Sequence, residues 1–122
     1  MSTMDEPSDR RARAIAVWED VSAGAVAEPA TPLREAVLDV LAAEVWSRPG
    51  LSRKDRRWIT LTCVAAAGQP VPIRTHLRYA LASGDMTVAE LREFALHFAM
   101  YAGFPRASFI DAVIDELEAS DG

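Results

Sequence analysis

Glycine and proline residues divide this chain into segments, and each segment repeats its apolar residues at helical spacing. The clearest breaks are Ser47-Arg48-Pro49-Gly50 and Gln69-Pro70-Val71-Pro72. No segment between them alternates polar and apolar residues in the manner of a strand. The pattern predicts an all-α bundle of five to six helices in a single domain at residues 9–122, after a disordered polar tail at residues 1–8.

The second and third helices have recognisable ends. Thr31 followed by Pro32 predicts the start of the second helix, which should run to Trp46. Its predicted apolar stripe is Leu33, Val37, Val40 and Leu41. The third helix should begin after Ser52 and stop at Gly68. Because its second half is almost wholly apolar, residues 59–67 are predicted to be the most buried segment.

The last three helices have equally local signals. Pro72 is predicted to open the fourth helix, which should end at Gly84. The run Thr87-Val88-Ala89-Glu90 is a capping box that predicts the start of the fifth helix, ending at Gly103. Pro105 is predicted to open the sixth.

Charge and composition exclude several functional classes. A formal net charge of -5 argues against a nucleic-acid partner or an anionic membrane surface. No apolar run approaches the roughly 20 residues of a membrane helix, and the polar first 13 residues do not resemble a signal peptide, so we expect a cytoplasmic protein. Cys63 is the single cysteine, so no disulfide can form within the chain, and it is expected to be a small buried hydrophobe.

Glu93, His97 and Tyr101 are spaced four residues apart on the predicted fifth helix, so they should form one stripe. A carboxylate one turn from an imidazole can orient the ring and raise its basicity, which gives a general acid–base pair. The alternative is a surface ion pair beside a structural histidine. The spacing is compatible with both interpretations.

His76 lies at the border of the apolar face of the predicted fourth helix. The predicted third helix opens with the adjacent Arg56 and Arg57, and Arg48 lies in the preceding turn. Guanidinium groups near a histidine suit a small anionic substrate, whereas the alternative is a solvated basic helix start. Trp46 is a candidate core or interface anchor. Two histidines without a third ligand at suitable spacing do not predict a metal site.

The ordered set of motifs resembles the carboxymuconolactone decarboxylase family, which includes the alkylhydroperoxidase D-like proteins. The resemblance covers roughly residues 33–118. It rests on Glu44-x-Trp46-x-Arg48-Pro49-Gly50-Leu51, on Arg56, on His76-Leu77-Arg78, and on the acidic fifth helix that ends Tyr101-x-Gly103-x-Pro105. It implies an all-helical fold and assembly as a homo-oligomer, a trimer or hexamer, with sites at subunit seams.

The decarboxylase branch of the family implies a lyase without a cofactor that removes carbon dioxide from a small carboxylated lactone or related acid in aromatic catabolism. By this resemblance Arg56 and Arg48 would hold the carboxylate, and His76 would protonate the carbanion or enol. Glu93 would orient His97, while Tyr101 and Trp46 would contact the substrate. The alternative is a non-catalytic oligomeric scaffold or small-ligand binder with the same fold.

The peroxidase branch carries a Cys-x-x-Cys pair at a fixed distance before its histidine. The corresponding positions in this chain are Gln69 and Pro72. Neither residue can provide a thiolate, and peroxide reduction by this route needs two sulfur atoms. A thiol peroxidase is therefore the least favoured function.

Overall fold

A computed structural model describes residues 7–121, and all regular secondary structure in that range is helical. The elements are α1 (Pro7–Ser22), α2 (Pro32–Ala36) continued by a π-helical segment (Val37–Trp46), α3 (Arg53–Ala67), α4 (Pro70–Ala82), α5 (Val88–Ala102) and α6 (Phe104–Asp121). The prediction of an all-α chain is confirmed. Residues 1–6 of the predicted tail lie outside the described range.

The chain forms two compact units that divide between Arg53 and Lys54. In the first unit, α1 packs against the π-helical segment. The rings of Trp18 and Trp46 meet edge to face there, with centroids 6.2 Å apart. The single domain expected over residues 9–122 stays a prediction.

The apolar stripe predicted for the second helix is wrong. Leu33 is 77% exposed and Val40 is 53% exposed, whereas Leu38 and Ala42 are buried. The predicted start is correct, because the Thr31 hydroxyl accepts a hydrogen bond from the backbone N–H of Arg34 at 3.2 Å. The stripe differs because the helix becomes π-helical at Val37, and its wider turn changes which residues share a face.

The second unit packs α3, α4, α5 and α6 around one apolar core, with α6 in contact with both α5 and α4. The fully buried members with the largest side chains are leucine and isoleucine residues: Leu61, Leu77, Leu91, Ile110 and Ile114. Small alanine side chains occupy many of the remaining core positions, which allows the helices to approach closely: Ala65, Ala80, Ala95, Ala99 and Ala107.

The capping box predicted for α5 is present in full. The backbone N–H of Glu90 donates to the Thr87 hydroxyl at 3.1 Å, and the backbone N–H of Thr87 donates to the Glu90 carboxylate at 2.9 Å. The helix ends at Gly103, whose φ of 104° favours glycine. Both ends of α5 are therefore set by local sequence.

The predicted start of α4 is displaced by two residues. The helix begins at Pro70, with Gln69 as the preceding cap residue, so that Pro72 lies inside its first turn. Both prolines are tolerated because the first N–H groups of a helix have no partner within it.

The second half of α3 is not the most buried segment, and the prediction for Cys63 is wrong. Leu61 and Ala65 are buried, but Ile59 is 53% exposed and Cys63 is exposed. The helix contributes only one face to the core of this unit, so an apolar sequence on all sides leaves apolar residues at the surface.

Replacing Thr87 with alanine should lower the free energy of unfolding by about 1 kcal/mol, because the Glu90 N–H loses its acceptor. Thr62→Ala is the matched control, since the Thr62 hydroxyl donates only to the carbonyl of Trp58 within α3. Its effect should stay within about 0.5 kcal/mol. Urea denaturation of both variants tests this, and equal losses would contradict a specific capping role.

Candidate functional site

The predicted site residues are divided between the two units. Trp46 and Arg48 belong to the first unit, where Trp46 is half-buried and Arg48 is exposed. The remaining predicted residues lie in the second unit, on α3, α4 and α5: Arg56, His76, Glu93, His97 and Tyr101. The second unit therefore carries both histidines.

His97 and Tyr101 form an exposed stacked pair on α5. Their ring centroids are 5.4 Å apart and the rings are inclined by only 10°. The pair borders two clefts, one of about 350 Å³ and one of about 480 Å³. The smaller cleft is completed by Thr62, Phe94 and Phe98, so it is mainly aromatic. Such a surface suits a planar ring better than a bare anion.

Glu93 shares the larger cleft with His97 and Tyr101, as the spacing of four residues predicts. Within residues 7–121, however, no hydrogen bond joins the Glu93 carboxylate to the His97 ring. The orienting contact expected between them is not formed in the isolated chain. A catalytic role for Glu93 and His97 therefore stays a prediction.

His76 has a different environment from His97. It is half-buried on α4, directly before the fully buried Leu77, and its ring meets Tyr79 edge to face at 5.4 Å. Burial lowers the pKa of His76 from its ordinary value of 6.5, and the positive charge of Arg57 lowers it further. The ring is consequently biased toward its neutral form.

Arg57 and Asp85 form a buried ion pair that sequence reasoning missed. The Arg57 Nε donates to the Asp85 carboxylate at 2.6 Å, and the two side chains are only 2% and 14% exposed. The available signal was spacing, because Arg57, Leu61 and Ala65 are four residues apart and form the buried face of α3. Because Arg56 and Arg57 are adjacent in sequence, both were interpreted together as a basic helix start, and the separate burial of Arg57 was not predicted.

The other cations at the start of α3 have different surroundings. Lys54 donates to the Glu90 carboxylate, and this bond is the main reason why the pKa of Glu90 is lowered. Arg56 is half-buried, between the exposed Asp55 and the buried Arg57. The basic start of α3 therefore contains a lysine paired with an acid, a buried arginine in an ion pair, and a half-buried arginine.

Neither a metal cluster nor a membrane segment is found in the described part of the chain. Residues 7–121 bring together no group of three or more histidine, cysteine, aspartate or glutamate side chains suited to a metal ion. In the same range, no helix has the length and apolar character needed to cross a bilayer.

Replacing Asp85 with alanine should destabilise the protein by about 3–5 kcal/mol, because a buried guanidinium loses its counter-charge. Asp111→Ala is the matched control, since Asp111 pairs with Arg92 at 2.7 Å but is 57% exposed. Its cost should be below about 1 kcal/mol. Chemical denaturation measures both values, and similar small losses would show that the Arg57–Asp85 pair is not effectively buried.

The comparisons with known proteins agree with the helical architecture and the motif order. The profile of the carboxymuconolactone decarboxylase family matches residues 31–116. The chain is 43% identical over 74 residues to 4-carboxymuconolactone decarboxylase of Acinetobacter baylyi, an alignment that covers 61% of this chain and 54% of that protein. It is 38% identical over 83 residues to nitrosuccinic acid decarboxylase of Metarhizium robertsii, which covers 68% of this chain and 56% of that protein.

Two facts define the extent of this likeness. The chain spans about half the length of the curated relatives it matches. No solved structure gives a significant match. Since the family profile covers most of the chain, including α2 to α5 in full and α6 as far as Glu116, the protein belongs to the carboxymuconolactone decarboxylase family.

Proposed function

We propose that this protein is a decarboxylase of a small carboxylated acid and that His76 is its proton donor. The observation that carries the proposal is the environment of His76. It is a half-buried histidine whose pKa is lowered by burial and by the positive charge of Arg57, whereas His97 is exposed. Perturbed titratable groups with a specific charged neighbour are characteristic of catalytic positions.

The proposed reaction needs an electron sink in the substrate and a proton from the protein. The bond between the carboxylate carbon and its neighbour breaks, and the electron pair passes into a conjugated carbonyl or a comparable acceptor of the substrate. Carbon dioxide leaves, and protonated His76 gives its proton to the carbon that carries the negative charge. The neutral ring then takes a proton from solvent.

The proposed substrate is a small carboxylated lactone or a related acid from aromatic catabolism. Support comes from the two relatives, whose names specify decarboxylation of 4-carboxymuconolactone and of nitrosuccinic acid. Both compounds are small organic acids. Arg56, on the second unit, is proposed to bind the carboxylate by charge-assisted hydrogen bonds. Tyr101 is proposed as an aromatic substrate contact, and no cofactor is invoked. The roles of Arg48 and Trp46, which belong to the first unit, stay predictions.

His76→Gln and His76→Ala should each lower the rate of carbon dioxide release by about 10²–10⁴-fold, because neither side chain transfers a proton at neutral pH. The test substrates are 4-carboxymuconolactone and nitrosuccinic acid. Circular dichroism of the variants checks that the helices remain. Equal turnover by wild type and both variants would make His76 a structural residue.

The pH dependence provides a second test of the same assignment. Because His76 must be protonated to act as the acid, kcat/KM should fall as the pH rises through its pKa, which lies below 6.5 in the free protein. The measurement is a pH–rate profile from about pH 5 to 8. A rate that increases over this whole range would contradict an acid role.

We also propose that the protein is a homo-oligomer, a trimer or a hexamer. The second unit exposes several large apolar side chains on α3, α5 and the start of α6: Ile59, Leu96, Met100, Tyr101 and Phe104. Large exposed apolar surface on a protein usually marks an interface. A second copy would cover the face of α5 that borders the His97–Tyr101 clefts.

Sedimentation velocity at micromolar concentration should therefore give a species larger than the 13.3 kDa chain. Met100→Glu should shift it toward monomer, because a carboxylate would be buried in an apolar contact. Ala119→Glu, at an exposed position of α6, is the control and should leave the assembly unchanged. A monomeric wild type would refute the oligomer proposal.

The alternative function is a binder without turnover. The aromatic cleft of Thr62, Phe94, His97, Phe98 and Tyr101 favours it, because the cleft offers a planar surface and includes no arginine or lysine. Saturable binding of either test acid by the wild type, with no carbon dioxide released under any condition, would support this alternative over the lyase.

A further inference from the structure

We propose that the first unit binds a small organic anion with a flat apolar body, such as an aromatic carboxylate, in a cleft of about 400 Å³ that Trp18 and Arg34 line. The cleft shares no residue with the two clefts that border His97 and Tyr101. Binding there goes beyond the proposed decarboxylase activity, since it does not depend on His76.

Three elements of the first unit form the apolar walls of the cleft. α1 contributes Trp18, the connector after α1 contributes Val26 and Pro29, and the π-helical segment contributes Val37 and Leu38. Leu38 is buried and the other four residues are half-buried. Sites for small organic molecules are typically concave and mainly apolar, with a few polar groups that orient the ligand. The walls of this cleft have that composition.

Hydrogen bonds hold the connector against the two helices that it joins. The backbone N–H of Val26 donates to the Glu19 carboxylate of α1 at 3.4 Å. Arg11 of α1 donates to Glu28 of the connector at 3.2 Å and to Asp39 of the π-helical segment at 3.0 Å. Because one guanidinium joins all three walls, the cleft is formed before a ligand enters. A ligand therefore has little ordering of the chain to offset.

Trp18 provides the flat surface of the cleft. Its ring meets that of Trp46 edge to face, with the centroids 6.2 Å apart, so the indole is held by a second large aromatic group. The side chain is only half-buried and lines the cleft. An accessible indole of this kind suits the ring of an aromatic ligand, since aromatic pairs gain energy beyond the area they bury.

The two charged residues that line the cleft are Glu28 and Arg34. Arg11 supplies a counter-charge for Glu28 at 3.2 Å. Within residues 7–121, by contrast, the Arg34 side chain has no ion pair or hydrogen bond, and it lies one helical turn before Val37 on the face that lines the cleft. Guanidinium groups bind carboxylates through two parallel hydrogen bonds. The charges of the cleft therefore favour an anion.

The three tryptophans of the chain report on where a ligand binds. Trp18 and Trp46 belong to the first unit, whereas Trp58 of the second unit contacts Phe94, which lines the aromatic cleft of α5. Phenylacetate is the probe, and the indole N–H signals are followed by nuclear magnetic resonance. The Trp18 signal should shift saturably while the Trp58 signal stays fixed. A response of Trp58 alone, or of no tryptophan, would overturn the proposal. Single substitutions assign the signals: Trp18→Phe, Trp46→Phe and Trp58→Phe.

Two substitutions of opposite sign test the charge of the ligand. Arg34→Gln should weaken phenylacetate binding about tenfold, because the carboxylate loses a charged donor. Glu28→Gln should strengthen binding, because it removes a negative charge from the cleft while glutamine can still accept a hydrogen bond from Arg11. Arg10→Gln is the matched control, since Arg10 is exposed in the same unit, pairs with Glu44 at 3.8 Å and does not line the cleft. Equal affinities of the Arg34→Gln and Arg10→Gln variants would contradict the assignment.

Phenylacetamide has nearly the same shape as phenylacetate but carries no charge. It should bind about tenfold more weakly, for the reason that applies to Arg34→Gln. Equal binding of the two compounds would show an apolar cleft without selectivity for anions and would refute the proposal.

A second copy of the chain is the other candidate occupant of the cleft. In that case the Trp18 signal of the protein without ligand would change on dilution, and phenylacetate would not shift it at any concentration. That combination would replace the ligand site by a subunit contact. A Trp18 signal that is constant on dilution and shifts with phenylacetate supports the proposed site.

Discussion

Burial of four apolar helix faces in one core is the constraint on which the second unit depends. Leu61, Leu77, Leu91 and Ile114 come from four different helices and are almost completely excluded from water. Each such side chain contributes roughly 1.5–3 kcal/mol when it is buried. The core fixes the rotation of every helix about its own axis. It therefore also decides which polar residues at the borders of these apolar faces become buried.

The core also encloses one charged side chain, that of Arg57, among the described residues. Arg57 precedes Leu61 on the buried face of α3, and burial of its guanidinium is tolerated because Asp85 supplies a counter-charge at 2.6 Å. A buried pair of this kind adds little net stability compared with apolar residues.

The outer faces of the same helices have a different character. Ile59, Met100 and Tyr101 are more than half exposed, and they lie on helices whose inner faces are fully occupied by the core. His97 belongs to this outer surface and stacks on Tyr101. The two histidines therefore lie in different environments. His76 is half-buried at the border of the core, whereas His97 lies on an exposed aromatic surface suited to a further molecule or subunit.

The sequence by itself determined the helical class, the family motifs and most helix ends. These depend on local interactions, such as the bonds between Thr87 and Glu90 or the backbone freedom of Gly103. Tertiary structure decided which side of each helix is buried. Cys63 is exposed although its neighbours are apolar, and Arg57 is buried although Arg56 lies beside it. Consecutive helical residues point about 100° apart, so only packing against other helices selects the one that enters the core.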